Sequence, residues 1–168
     1  VETPEVSEQK EDAGQKVVDR IVISSPITGV AAELSTAPDE AFAQKMMGDG
    51  AVVTPEDPYV RAPEDGEVAF VFDTKHAIGF VTESGISLLI HVGIDTVKLN
   101  GKPFKQFVEK DAQVKKGDLL IEFDVDEIEK AGLDSTVMVV VTNSTDYLEV
   151  LPTKETSVST NDILLRVI

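Results

Sequence analysis

The sequence of 168 residues contains no cysteine and no tryptophan. The absence of cysteine excludes disulfides and thiolate chemistry within the chain and fits a reducing compartment. The absence of tryptophan disfavours a passive sugar-binding module, which would present aromatic rings to its ligand. The sequence also shows no apolar run of membrane-spanning length and no signal-peptide pattern at its start. An ordinary globular protein of the cytoplasm is therefore the expectation.

Basic residues are scarce, because 15 Lys and Arg stand against 31 Asp and Glu, giving a formal net charge of −16. Nucleic-acid binding requires clustered Lys and Arg, so this class of function is excluded. Acidic groups close to a site would favour a protein partner with a basic face. Solubility is the simpler role for most of these charges.

The first 19 residues differ from the rest of the chain. They are polar, acidic and without apolar periodicity, which predicts a disordered linker or tail over residues 1–19. The chain begins at Val1 rather than Met, which suggests a domain from a longer polypeptide. One domain is expected over residues 20–168, a length that can bury a sizeable core.

Short apolar strands separated by Pro and Gly follow from Ile21 onward. Residues 22–31 and 60–69 share a small residue, a Pro-x-x-Gly turn and an apolar strand, which indicates an internal duplication. Further strands are predicted at 119–123, 137–141 and 163–168. The pattern predicts an all-β fold, an antiparallel β-sandwich or barrel with Greek-key or duplicated-motif topology and a few short helical turns.

Helical signals are few. Asp124 followed by Glu127 predicts a capped helix over residues 125–131, with Gly132 as its stop. Residues 38–47 and 103–109 are each predicted to hold a helical turn or two.

Both histidines lie in residues 74–97, which we predict to form a β-hairpin. Two β-branched apolar runs flank the polar segment 82–85, the composition of a tight connection. With those four residues as the loop, position 81 pairs with 86, 78 with 89, and His76 with His91. The two imidazoles then become an opposed cross-strand pair.

Two neutral imidazoles in an apolar setting suit phosphoryl transfer. A ring nitrogen with a free lone pair attacks phosphorus, while the other nitrogen of that ring is held by a hydrogen bond. The second imidazole donates an N–H to the phosphoryl oxygens. His91 is the better nucleophile candidate because it ends an apolar strand and precedes Gly93, where the backbone can approach a bound group. Zinc binding is the main competing chemistry, and a hydrogen-bonded structural role is the alternative for either histidine alone.

Several segments of the chain resemble a known protein family. Residues 89–97, with Lys75, His76 and Ala77 before them, are similar to the active-site region of the glucose/sucrose/β-glucoside family of IIA domains. These are phosphocarriers of the bacterial phosphoenolpyruvate-dependent sugar phosphotransferase system. The resemblance continues through residues 25–29, 42–50 and 117–124 and covers about 21–168.

The resemblance implies an antiparallel β-sandwich in which His91 accepts a phosphoryl group from the phosphohistidine of the carrier protein HPr. The group then passes to a cysteine of a IIB domain, which phosphorylates the sugar during uptake. The resemblance also implies that His76 contacts the phosphoryl group and that Thr74 supports the site by a hydrogen bond. No cofactor is expected, and zinc at His76 and His91 is adventitious or regulatory in this interpretation.

The same resemblance implies a docking surface for the partners. Asp39 and Asp95 would be rim carboxylates that face basic side chains, and Phe42, Met46 and Met47 would form the apolar part. From the residues alone, either carboxylate could equally be a solvated turn residue or a helix N-cap.

Residues 97–102 and 140–144 are more similar to IIA domains attached to β-glucoside, sucrose or trehalose permeases. The resemblance therefore implies a domain fused or tethered to a IIBC membrane permease, at the inner face of the membrane. A regulatory module controlled by its phosphorylation state remains an alternative. A zinc peptidase is disfavoured because its His-x-His spacing is missing, and a biotin- or lipoyl-type carrier because Lys115 and Lys116 lack a preceding Met.

Overall fold

The computed structural model describes residues 20–168. The linker or tail predicted for residues 1–19 lies outside the described residues. Neither α-helix of the described part has the length and apolar character that a membrane crossing requires.

The described residues form β-strands and a few short helices, as the all-β prediction requires. The strands are β1 (Ile21–Ser24), β2 (Gly29–Glu33), β3 (Asp49–Pro55), β4 (Tyr59–Arg61), β5 (Gly66–Val71), β6 (Ala77–Thr82), β7 (Ser87–Val92), β8 (Phe104–Gln106), β9 (Gln113–Val114), β10 (Leu119–Phe123), β11 (Val137–Val141), β12 (Val150–Pro152), β13 (Ser157–Val158) and β14 (Ile163–Val167). The helices are α1 (Glu40–Ala43) and α2 (Val125–Lys130), with 3-10 turns at Leu34–Thr36, Thr96–Leu99 and Ser144–Asp146.

Within residues 20–168 the strands make three sheets with antiparallel pairing. The largest has the order β13-β2-β3-β11-β7-β6-β5-β9, and the smaller ones have the orders β1-β14-β12 and β4-β10-β8. None of these sheets closes on itself, so the sandwich alternative describes the fold and the barrel alternative does not.

The two faces of the large sheet carry two apolar clusters. Val137 and Val139 of β11 belong to the larger core, whereas Met138 and Val140 belong to a smaller cluster with Phe42. Every residue of β11 is buried because this strand lies between β3 and β7 and is covered on both faces. The strand adjacent to it, β7, therefore also presents alternate side chains to two apolar environments.

The two segments proposed to be duplicated occupy equivalent places. In each, the strand before the Pro-x-x-Gly turn joins a small sheet, β1 or β4, and the strand after it joins the large sheet, β2 or β5. They also contact each other, because Arg61 N–H donates to the Pro26 carbonyl and Ser24 N–H to the Glu64 carboxylate.

The hairpin of β6 and β7 is present, but its predicted register is wrong by one residue. Ala77 pairs with His91, and Ile78 pairs with Ile90. His76 precedes the first paired residue of β6 and lies in a bend.

The cause lies in the connection, which has three residues instead of four. Thr82 belongs to the strand, since it is buried and its backbone N–H donates to the Ile86 carbonyl. Gly85 ends the loop with φ +94°, a left-handed conformation that glycine adopts without strain. A three-residue hairpin loop with a left-handed last residue is a common type.

The helix predictions have different outcomes. Asp124 caps α2 by accepting a hydrogen bond from Glu127 N–H, and Gly132 follows the helix with φ +80°. Residues 38–47 contain α1. The helical turn predicted for residues 103–109 is wrong, because Phe104–Gln106 forms β8 and pairs with β10.

Candidate active site

His91 lies on the face of the large sheet that carries the smaller apolar cluster. On β7, Ile90 and Val92 point into the larger core, so the intervening His91 points to the opposite face. Its cross-strand neighbours are Ala77 on β6 and Met138 on β11. Because the side chain of Ala77 is small, it leaves room beside the imidazole of His91.

The backbone after β7 determines which nitrogen of His91 carries the proton. His91 Nδ1 lies 2.8 Å from the carbonyl oxygen of Gly93, and a carbonyl can only accept. Nδ1 is therefore the protonated nitrogen, and Nε2 carries the free lone pair. The carbonyl is held in place because Gly93 N–H donates to Thr136 and Ile94 N–H donates to Asp134, both at backbone oxygens.

Gly93 is required in this segment for a steric reason. Its φ is +78°, and an added Cβ would lie 2.4 Å from Thr96 Cγ2 and 2.8 Å from the Asp134 carbonyl oxygen. The described contacts show that the missing side chain leaves space for neighbouring protein atoms. The expected approach of the Gly93 backbone to a bound group stays a prediction.

The two imidazoles contact each other although they are not a registered pair. Their ring centroids are 4.9 Å apart at an angle of 80°, an edge-to-face arrangement. His76 reaches this position because Lys75, with φ +60°, turns the chain immediately before β6. Thr74 Oγ1 lies 2.8 Å from His76 Nδ1, so the hydrogen bond expected from Thr74 is present.

Both imidazoles are neutral at pH 7. Burial and the neighbouring His76 lower the pKa of His91 to about 4, although the Gly93 carbonyl, Asp39 and Asp95 act in the opposite direction. Burial also lowers the pKa of His76 below its ordinary value. Nε2 of His91 is thus available as a nucleophile at physiological pH.

Two carboxylates lie at the rim of a small depression over His91, which has a volume of about 130 Å³. Asp39 is the N-cap of α1 and accepts a hydrogen bond from Phe42 N–H at 3.3 Å. Asp95 has φ +61° and lies 3.9 Å from the ammonium of Lys98. Asp39 is therefore both a helix cap and a charge near the site.

The apolar residues expected around the site differ in exposure. Phe42 is buried, and its ring centroid lies 5.1 Å from that of His91. Met46 and Met47 follow α1 and are exposed by 72% and 38%. Only the two methionines of this set thus present much surface to a partner.

Sequence reasoning missed several residues that the fold brings to the histidines. Phe72 packs on His76 with a centroid distance of 5.2 Å, and Phe70 contacts Phe72. The exposed Val97 lines the depression over His91. An aromatic pair shortly before Thr74 in sequence was a usable signal for the phenylalanines. The carbonyl of Gly93 has no sequence signal, because every residue has one.

Among residues 20–168, no three or more His, Cys, Asp or Glu side chains are grouped as a metal ion would require. The two imidazoles would supply two ligands, and Asp39 and Asp95 do not complete a set with them. A larger cavity than the depression over His91, about 550 Å³, lies elsewhere, between residues 55–58, 102–105 and 122–126.

Comparisons with known proteins identify the family to which this fold belongs. The family model described as phosphoenolpyruvate-dependent sugar phosphotransferase system, EIIA 1, matches residues 21–147. Among solved structures, glucose permease IIA from Mycoplasma capricolum superimposes with a TM-score of 0.76 at 29% sequence identity, covering 89% of this chain and 96% of that chain. The matched family region contains Thr74, His76, His91 and Gly93.

Proposed function

The chain belongs to the EIIA 1 family of the phosphoenolpyruvate-dependent sugar phosphotransferase system, and from this membership we propose that His91 receives a phosphoryl group from phospho-HPr and passes it to a cysteine of a IIB domain. Its general role is that of a phosphocarrier, a phosphotransferase component of sugar transport. The transfer from HPr to His91 and from His91 to the IIB cysteine is the proposed part of this role.

The observation that carries the proposal is the protonation state of His91. Its Nδ1–H is held by the Gly93 carbonyl at 2.8 Å, and its low pKa keeps Nε2 unprotonated. In the first transfer, Nε2 attacks phosphorus, the new N–P bond forms, and the P–N bond to the HPr imidazole breaks with its electron pair going to HPr. In the second, a IIB thiolate attacks phosphorus and Nε2 leaves with its lone pair.

His76 stabilises the transferred group in this proposal. If the Thr74 hydroxyl donates to His76 Nδ1, then Nε2 of His76 carries the proton and can donate it in a hydrogen bond to a phosphoryl oxygen. The edge-to-face contact of the two rings supports this arrangement, because it places His76 beside the nucleophile. Thr74 is then a positioning residue that selects the tautomer of His76.

Docking of both partners is proposed at the surface around the depression. Asp39 and Asp95 would pair with basic side chains of HPr or the IIB domain and accelerate encounter. Met46 and Met47 would provide an adaptable apolar contact that releases readily, as unbranched thioethers do. Phe42 is buried, so it would not contact the partner directly and would instead support the imidazole of His91 by packing against it.

No cofactor takes part in this route, since the nucleophile and the hydrogen-bond donor both belong to the chain. We place the protein in the cytoplasm, at the inner face of the membrane, tethered to a IIBC permease that selects the sugar. The similarity of residues 97–102 and 140–144 to permease-attached IIA domains supports this placement.

The test is intact-mass spectrometry after incubation with phosphoenolpyruvate, enzyme I and HPr. We expect the wild-type protein to gain one acid-labile phosphoryl group and His91→Gln to gain none. His76→Gln is the matched control: it should still accept the group but transfer it to a IIB domain more slowly. Absence of phosphorylation in the wild type, or retention of it in His91→Gln, would contradict the proposal.

A further inference from the structure

Phe70 reaches the histidine face of the large sheet because of a β-bulge in β5. Val68 pairs with Phe80, and both are buried in the larger core, whereas Phe70 pairs with Gly79. The extra residue between the two pairs is Ala69. In a regular strand Phe70 would share the face of Val68, and the bulge turns it to the other face.

Gly79 identifies that other face. It pairs with Leu89 on β7, two positions from the pair of Ala77 and His91, so Gly79 and His91 lie on the same side of the sheet. The Phe70 ring therefore lies on the side of the sheet that carries the site.

The ring of Phe70 lies directly over the backbone of Gly79. A Cβ added at position 79 would be 2.1 Å from Cε1 and 2.5 Å from Cζ of this ring. Any side chain at position 79 would therefore displace Phe70. Because glycine has no side chain, the ring can pack directly on its backbone.

A continuous series of ring contacts leads from Phe70 to His91. Phe70 contacts Phe72 edge-to-face with centroids 5.6 Å apart, and Phe72 packs on His76 at 5.2 Å. His76 in turn contacts His91 at 4.9 Å. Phe72 lies after the end of β5 and is 39% exposed, with its ring between those of Phe70 and His76 in this series.

We propose that Phe70, packed on the backbone of Gly79, is a positioning residue. It holds Phe72 against His76 and thereby fixes the imidazole of His76 beside His91. Edge-to-face aromatic contacts have a defined geometry, so removing Phe70 releases Phe72 from one preferred orientation. The expected effect of removing Phe70 on phosphoryl transfer rests on the proposed function. The expected effect on the orientation of the His76 ring is independent of that function.

The test compares Phe70→Ala and Gly79→Ala with Phe107→Ala, a control at a phenylalanine of similar exposure, 47% against 42% for Phe70. Phe70→Tyr preserves the ring and should behave like the wild type. We measure the imidazole resonances of His76 across a pH titration by NMR, and kcat and KM for transfer from phospho-HPr.

We expect the measured pKa of His76 to rise in Phe70→Ala and Gly79→Ala, because burial is what lowers it. The value of kcat should fall by about tenfold or more, the scale of a misplaced catalytic group, with KM nearly unchanged. Phe107→Ala should change neither quantity.

A raised KM with unchanged His76 resonances would overturn the proposal, since Phe70 would then contact the partner without positioning His76. The same His76 shift in Phe107→Ala would also overturn it, because the effect would be a general loosening of the fold. If the wild type accepts no phosphoryl group, the proposed function fails, and the NMR comparison alone still decides the role of Phe70.

Discussion

At the scale of single residues, the site depends on keeping His91 neutral and in one tautomer. Burial provides the first condition by lowering the pKa of His91 to about 4, and the Gly93 carbonyl provides the second at 2.8 Å. A cationic imidazole would have no lone pair with which to attack phosphorus. The surrounding apolar residues thus serve the chemistry as well as the fold.

The low pKa of His91 predicts a pH-dependent stability. The unfolded chain binds a proton at this residue near pH 6.5, whereas the folded protein does so near pH 4. Between these values the unfolded state holds more protons, so the free energy of unfolding falls as the pH is lowered from 6.5 to 4. At about 1.4 kcal/mol per pKa unit, the loss from this residue is on the order of 3 kcal/mol.

Urea unfolding at pH 7 and pH 5 measures this effect in the wild type and in His91→Gln. The carboxylates add their own pH dependence to both proteins, so the difference between the two reports the titration of His91 together with its coupling to the neighbouring His76. We expect His91→Gln to lose less stability on acidification. Equal losses in the two proteins would show that the pKa of His91 is not depressed.

Sequence reasoning reached the side chains of the site more easily than its backbone. His76 and His91 could be selected from residue type and spacing, Thr74 followed only from the family resemblance, and the structure brings all three together. The Gly93 carbonyl was not predicted, because its role depends on contacts with Asp134 and Thr136, more than 40 positions away.

At the scale of elements, the turn after β7 orients His91, and Gly93→Ala tests it. The new Cβ would clash with Thr96 and with the Asp134 carbonyl, besides requiring an unfavourable φ of +78°. We expect a loss of about 2–4 kcal/mol in the free energy of unfolding, measured with urea. We also expect the 15N shifts of His91 to show that Nδ1 is no longer the only protonated nitrogen.

Gly117→Ala is the matched control for this substitution. Gly117 has a similar φ of +93°, but an added Cβ would meet no atom within 4 Å. Its cost should be about 1 kcal/mol, from the backbone strain alone. An equal cost for the two substitutions, with an unchanged tautomer of His91, would contradict the role assigned to the turn.

Asp39 caps helix α1, and substitution can separate this cap from its proposed role in docking. Asp39→Asn keeps an oxygen that can accept from Phe42 N–H but removes the charge, whereas Asp39→Ala removes both. We expect Asp39→Ala to lose about 1 kcal/mol of stability and Asp39→Asn to lose little.

Both Asp39 variants should bind HPr more weakly than the wild type, with the largest difference at low ionic strength. Unfolding by urea and surface plasmon resonance at two salt concentrations measure the two functions. Unchanged HPr binding by Asp39→Asn would limit Asp39 to its capping role.

Elements with a clear local signal in the sequence were predicted correctly, whereas β8 and the register of β6 and β7 were not. The cap at Asp124 and the uninterrupted apolar run of β11 identify their elements without further context. Phe104–Gln106 becomes a strand only because β10 lies beside it. The register of β6 and β7 depended on whether Thr82 belongs to the strand or the loop, and its burial decides this.

At the scale of the whole molecule, the site forms on the face of the large sheet that carries the smaller apolar cluster, beside the interior strands β6 and β7. Phe42 comes from α1, Phe72 from the segment after β5 and His91 from β7, so the complete fold is needed to assemble it. The larger core on the opposite face provides the rigid support. The chain as a whole carries a net charge of −16, and Asp39 and Asp95 add negative charge at the rim of the depression, which favours a basic partner.

The central claim is that Nε2 of His91 carries the phosphoryl group while Nδ1–H remains bonded to the Gly93 carbonyl. NMR of the 15N-labelled protein, phosphorylated through HPr, measures this directly from the 15N shifts and the phosphorus coupling of the two imidazoles. We expect phosphorus coupling at Nε2 of His91, with Nδ1 of the same ring still protonated. Phosphorus coupling at Nδ1 of His91, or at either nitrogen of His76, would contradict it.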